Sequence, residues 1–100
     1  MMIDNDSAAQ ITLSAVLAAL GDPVRLEIVK ELAQGERACG SFSVKVSQGT
    51  ISHHLNILRE VGIVGTRAEG KQRINFLRRS EMERDFPGLL NAVLKSQATL

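Results

Sequence analysis

Helix punctuation constrains this chain more than any other feature. Gly21 stands where a helix C-terminus favours a residue without a Cβ. Asp22-Pro23 follows as an N-cap and a first-turn proline whose missing N–H leaves nothing unsatisfied. Upstream, the Ala- and Leu-rich run from Ser7 to Leu20 predicts a first helix, with Ser7 and Gln10 spaced as a capping box. Downstream, Val24, Ile28 and Leu32, flanked by Leu26 and Val29, recur at helical spacing until Gly35. Residues 36–46 have no single period: Cys39 to Phe42 could open a short helix, while Ser43 to Val46 reads as extended. Ser47 then caps a helix over about 47–61 that stops at Gly62. Ile51, Leu55, Leu58 and Val61 share its apolar side, and Gly49, Ser52, His53, Asn56 and Glu60 fall opposite or on the flanks. Ile63–Arg67 and Gln72–Leu77 read as two short strands joined at Glu69-Gly70-Lys71. Ser80 and Glu83 suggest another capping box, Pro87-Gly88 interrupts, and Leu89, Leu90, Val93 and Leu94 form a last apolar stripe over about 87–97.

A chain of 100 residues supports one modest core, so residues 7–100 are expected to form a single domain behind a flexible tail of residues 1–6. With no Trp, no Tyr and three Phe, aliphatic side chains must do nearly all the packing. No apolar run approaches the roughly 20 residues of a membrane span, and the acidic start Met1 to Asp6 lacks the pattern of a secretory leader. A lone cysteine, Cys39, rules out an intrachain disulfide, which suits a reducing cytoplasm.

The order helix, helix, short helix, helix, hairpin, helix is mainly α with a two-stranded β-hairpin. It is the winged helix-turn-helix arrangement, whose third core helix enters the major groove of DNA. Charge is distributed to match. The formal net charge is only +1, yet residues 37–80 carry eight basic side chains against two acidic ones, while residues 1–36 carry two basic and six acidic. A basic middle in a near-neutral chain suits a polyanion-binding face; it suits an ordinary solvated surface as well.

Three separated segments resemble the ArsR/SmtB family of bacterial winged-helix repressors. They are Ala19 to Ile28 (ALGDPVRLEI), Val46 to Leu55 (VSQGTISHHL), and Leu58 to Val64 (LREVGIV) with the turn Glu69-Gly70-Lys71, a resemblance covering roughly residues 15–77. It implies a dimeric repressor that releases DNA in response to a metal or another signal. The metal-sensing members use paired cysteines near the short third helix, or carboxylate and histidine ligands along the last helix. Here the first region holds only Cys39 and the last helix has no His, so no metal, cofactor or catalytic residue is assigned and the effector is unknown.

Site residues follow from helix and hairpin. Ser47, Gln48, Gly49, Thr50, Ser52, His53 and Asn56 lie near the start of the expected recognition helix, where short polar side chains reach base edges and backbone N–H groups hold phosphate. Arg67, Lys71 and Arg73 flank the hairpin turn and are expected to contact the backbone or minor groove; they also fit the charged protection of an edge strand. His54, about 100° round the helix from His53, is expected to pack at the core edge with a hydrogen bond, and the pair makes a poor chelate. Arg78 and Arg79 either join the basic face or neutralise Glu81, Glu83 and Asp85. Cys39 reads as a small buried hydrophobe, with a thiol switch left open by the nearby Arg37.

No nucleotide-binding glycine loop or nucleophile–base pair occurs, so an enzyme is not expected. The expected function is a cytoplasmic, duplex-DNA-binding transcriptional regulator acting as a homodimer through its first and last helices, whose apolar surfaces exceed what one small monomer can cover. The alternative is a winged-helix module that binds protein and not DNA. Soft-metal sites need two to four sulfur ligands, and one chain offers a single thiol. Zinc, cadmium or arsenite titrated into the DNA complex should therefore leave binding unchanged. Metal-driven release that disappears in Cys39→Ser would overturn this.

Overall fold

A computed structural model describes residues 12–96. The first described helix, α1 (Leu13–Leu20), begins where Thr12 Oγ1 accepts the Ala15 N–H at 3.2 Å, and Gly21 closes it by donating to Ala18 O. The expected tail and the Ser7–Gln10 capping box lie outside the described residues. Asp22 caps α2 (Pro23–Gln34) as expected, its Oδ1 accepting the N–H groups of Val24 at 2.8 Å and Arg25 at 3.0 Å. These bonds, that from Arg25 foremost, hold the Asp22 carboxyl below its ordinary range.

The stretch after Gly35 contains a strand that the sequence does not announce. Arg37–Ala38 forms β1, followed by a 3₁₀ turn at Cys39–Ser41 and an irregular run in which Phe42, Val44 and Val46 tuck half-buried against the core. One carboxylate organises this run. Glu31 Oε1 accepts from the Arg37 guanidinium at 2.9 Å and from the Ser43 N–H at 2.9 Å. The chain then enters α3 (Gln48–Glu60), capped by Ser47, whose Oγ accepts the Thr50 N–H at 3.2 Å. Gly62, at φ 83°, turns the chain out of α3 in a conformation that a side chain would strain, and Ile63 N–H bonds back to Leu58 O at 3.0 Å.

Strands β2 (Val64–Glu69) and β3 (Gln72–Leu77) pair antiparallel, with Glu69 opposite Gln72. The two-residue loop Gly70-Lys71 has positive φ at its first residue only, 62° at Gly70, as a type II′ turn requires. The expected two-stranded hairpin is in fact a three-stranded sheet in the order β1-β3-β2, because Arg37 and Ala38 pair with Asn75 and Ile74. Two residues are too short for an alternating pattern to register.

Two further expectations are corrected. The Ser80–Glu83 capping box does not form: Arg78 is bonded to Ile63 O at 2.9 Å, so α4 (Arg79–Asp85) starts directly after the sheet and Ser80 is already inside it. Glu83 instead accepts the Gly88 N–H at 3.2 Å. The apolar stripe of α5 (Leu89–Lys95) does not stand outside the winged core. Leu90 is buried in it, and Leu89, Val93 and Leu94 pack against it. The core joins Val16, Leu20, Ile28, Val29, Leu32, Ile51, Leu55, Leu58, Ile63 and Leu77.

Asn75, 2% exposed, is the buried polar residue among the described ones. Its Nδ2 donates to Arg37 O at 3.2 Å and its Oδ1 accepts from Arg59 Nη1 at 3.3 Å, tying β1, β3 and α3 together. Asn75→Leu leaves both partners facing an apolar group. Unsatisfied buried groups cost about 1–3 kcal/mol, so urea denaturation should show a loss of about that size. An unchanged midpoint would mean that water reaches the site.

Candidate nucleic-acid interface

Burying Ile51, Leu55 and Leu58 leaves α3 with an opposite face made of short polar groups. Gln48, Gly49, Ser52, His53 and Asn56 are all exposed along it, with Ser47 at its head. Thr50 is half-buried, and its hydroxyl pairs with Ser47 Oγ at 2.9 Å, so it supports the cap more than the open face. Ser52 Oγ lies 3.3 Å from Cys39 Sγ, and Asn56 Oδ1 accepts from Arg59. Gly49 is open, since a Cβ built there would meet nothing within 4 Å. Glycine inside a helix costs about 1 kcal/mol relative to alanine, and no neighbour among the described residues requires it at this position.

The wing cations divide into two kinds. Arg67 is occupied: it pairs with Glu36, in the connection before β1, at 2.6 Å and with Glu69 at 3.6 Å, and these bonds raise its already high pKa. Lys71, in the turn, and Arg73, on β3, are exposed and meet no carboxylate among the described residues. A cleft of about 120 Å³ lined by Cys39, Ser52, Leu55, Arg59, Arg73 and Asn75 brings the wing and α3 to the same side. Arg78 and Arg79 are engaged within the chain, Arg78 with Glu81 at 3.7 Å and Arg79 with Ala33 O at 3.0 Å.

The two histidines separate as their helical positions require. His53 is exposed, while His54 is half-buried with its Nδ1 3.0 Å from Arg25 Nη1. Arg25, Arg59 and Asn75 are the residues that sequence reasoning missed. Each works through a long-range hydrogen bond, which leaves no periodic signal. Cys39 is half-buried against the core. Among the described residues, no group of three or more His, Cys, Asp and Glu is placed to hold a metal ion, and no helix is long and apolar enough to cross a membrane.

A family model described as bacterial regulatory protein, arsR family, matches residues 22–66, which span α2, the irregular run, α3 and the start of β2. An uncharacterized HTH-type transcriptional regulator of Methanocaldococcus jannaschii is 48% identical over 58 residues, or 55% of this chain. The chain spans 65% of that protein's length and 53% of another curated relative's. Among solved structures, the transcriptional repressor BigR from Xylella fastidiosa is 32% identical, superposes with a TM-score of 0.69 and covers 88% of each chain. A homodimeric winged helix-turn-helix DNA-binding domain from Mycobacterium bovis, a possible ArsR-family regulator, is 30% identical with a TM-score of 0.70, covering 92% of this chain and 86% of that one. The fold is thus a winged helix-turn-helix of the kind found in transcriptional regulators. This chain belongs to the ArsR family.

Proposed function

We propose that this chain is a sequence-specific duplex-DNA-binding repressor that works in the cytoplasm as a homodimer. The observation that carries the reading is the cleft in which Ser52, on the open polar face of α3, meets the uncompensated Arg73 of the wing, with Gly49 bare on that helix and Lys71 uncompensated in the wing turn. A glycine open to solvent lets a phosphate approach the backbone N–H groups of the helix start. Ser47, Gln48, Ser52, His53 and Asn56 then lie where side chains read base edges, and Lys71 and Arg73 lie where a wing grips the backbone. Thr50 serves the cap. Arg67 contributes only insofar as phosphate displaces Glu36. The likeness to a named repressor and to a homodimeric DNA-binding domain supports the same reading.

Dimerisation is best placed on α1. Leu13 and Leu17, one turn apart, are each 49% exposed, and an open groove beside Leu13 is lined by Phe86, Pro87 and Leu89. A two-fold pair joined there would set two α3 helices roughly 34 Å apart, one turn of DNA. The α5 stripe contributes less than its sequence suggests, because its own chain already covers most of it.

Fluorescence anisotropy with duplex DNA from upstream of its own gene tests the reading. Affinity should fall steeply between 50 and 200 mM salt, with each neutralised phosphate contributing about −0.9 to the slope of log K against log salt. Lys71→Ala and Arg73→Ala should weaken all duplexes alike and each reduce that slope by about one. Gln48→Ala, Ser52→Ala or His53→Ala should instead erode the preference for operator over random DNA by about 1–3 kcal/mol for a good base contact. Salt-independent binding, or none, would favour a protein-interaction module.

The dimer is tested separately by sedimentation. Leu17→Glu should give monomers with greatly reduced operator affinity, whereas a dimer that persists would place the interface elsewhere.

A further inference from the structure

Three helices meet at one guanidinium. Arg25, in the first turn of α2, donates from Nε to Ala19 O at the end of α1 at 2.5 Å, and its Nη1 lies 3.0 Å from Nδ1 of His54 in the middle of α3. The backbone N–H of Arg25 is itself fixed to the Asp22 cap. One planar group thus joins the helix bearing the exposed Leu13 and Leu17 to the helix that carries the polar reading face.

The direction of the second bond is decided by chemistry. Arginine has five N–H donors and no acceptor, so Nδ1 of His54 must accept, and the imidazole must be the neutral tautomer protonated on Nε2. An imidazolium donates from both nitrogens. On protonation, therefore, the bond to Arg25 is lost and two cations face each other across the same gap.

We propose that His54 is a positioning residue for DNA binding, setting the placement of α3 relative to α1 through Arg25, and that protonating it uncouples the two helices and weakens DNA binding. This rests on the DNA-binding reading above. The charged groups facing His54 are the Asp22 carboxylate and the Arg25 guanidinium from the start of α2, and His53 from α3 itself. Burial, the largest influence, lowers its pKa below the ordinary 6.5; Arg25 and His53 push the same way and Asp22 opposes them. The neutral form is thus the one that the fold favours. Its contribution is complete above the unfolded value of 6.5 and is lost as pH falls from there through the folded value. Exposed His53 is a second imidazole, on the polar face itself, so the two histidines must be tested apart.

The measurement is duplex-DNA affinity at pH 7.5 and pH 5.5 in a His53→Gln background, with thermal melting followed at both pH values. A hydrogen bond to a charged group contributes more than a neutral one, and only part of that contribution reaches the DNA. Affinity should therefore drop about tenfold on acidification while the protein remains folded. His54→Asn, whose Oδ1 can accept from Arg25 and does not titrate, should flatten that pH profile. His54→Leu should lose about tenfold at pH 7.5 and also be flat. An independent readout needs no DNA: the ¹⁵N signals should give the Nε2–H tautomer of His54, and the Arg25 Nη1 signal, from the nitrogen that donates to His54, should shift as His54 titrates.

Equal pH dependence with and without His54, or a full-strength His54→Leu complex, would overturn the proposal while leaving DNA binding intact. A wild-type protein that binds no duplex at pH 7.5 would overturn the function itself, and this role with it.

Discussion

The amphipathic division of α3 is the constraint on which the rest depends. Ile51, Leu55 and Leu58 are almost wholly enclosed, in one cluster with residues of α1, α2 and the sheet. In a chain without Trp or Tyr there is little large apolar surface to anchor a helix elsewhere. Once those three side chains are inside, helical geometry leaves no freedom for the others. Gln48, Ser52, His53 and Asn56 must face outward, and Ser47 must sit at an open helix start. The polar face is thus a consequence of packing, and its rigidity is borrowed from the core.

Net charge along the chain says less than it suggests, because several of the charges are paired with one another. The acidic N-terminal third and the basic middle are not separate surfaces. Glu31 is spent on Arg37, and Glu36 reaches across to Arg67. Arg78 is drawn to Glu81, and Arg79 and Arg59 donate to a carbonyl and to two asparagines. The exposed cations of the segment that meet no carboxylate among the described residues are Lys45, just before α3, and Lys71 and Arg73 of the wing, a far smaller set than its eight basic residues. The field presented to a polyanion is correspondingly local, concentrated at the wing and at the approach to α3.

Legibility in the sequence tracks the range of the interaction. Asp22-Pro23, Ser47 and the glycines at 21, 62 and 70 act on their own few residues, and the start of α2, both ends of α3 and the hairpin turn could be read from them. The two-residue strand Arg37–Ala38 was illegible because its partner lies nearly forty residues away, and its shape is set by Glu31 and Asn75 and not by its own period. Ser80 misled for the complementary reason. It has the local chemistry of a cap, but the tie from Arg78 to Ile63 had already committed the chain to helix. Of the candidate binding residues, the exposed polar positions of α3 were recoverable from periodicity. The groups that hold α3 in place, Arg25, Arg59 and Asn75, were not.

Asn75 has one more consequence, for the fidelity of strand pairing. A sheet of three strands, one only two residues long, offers weak backbone grounds for preferring one alignment over its neighbours. Slipping β3 by one residue would turn Ile74 or Phe76 toward the place where Arg59 and the Arg37 carbonyl wait for an amide, and would send the amide where the core expects a hydrocarbon. Such a slip is penalised twice, by an unmet donor and by a misplaced apolar group. A lone amide in an aliphatic interior therefore serves as a registration mark, one that keeps wing and helix aligned each time the chain folds.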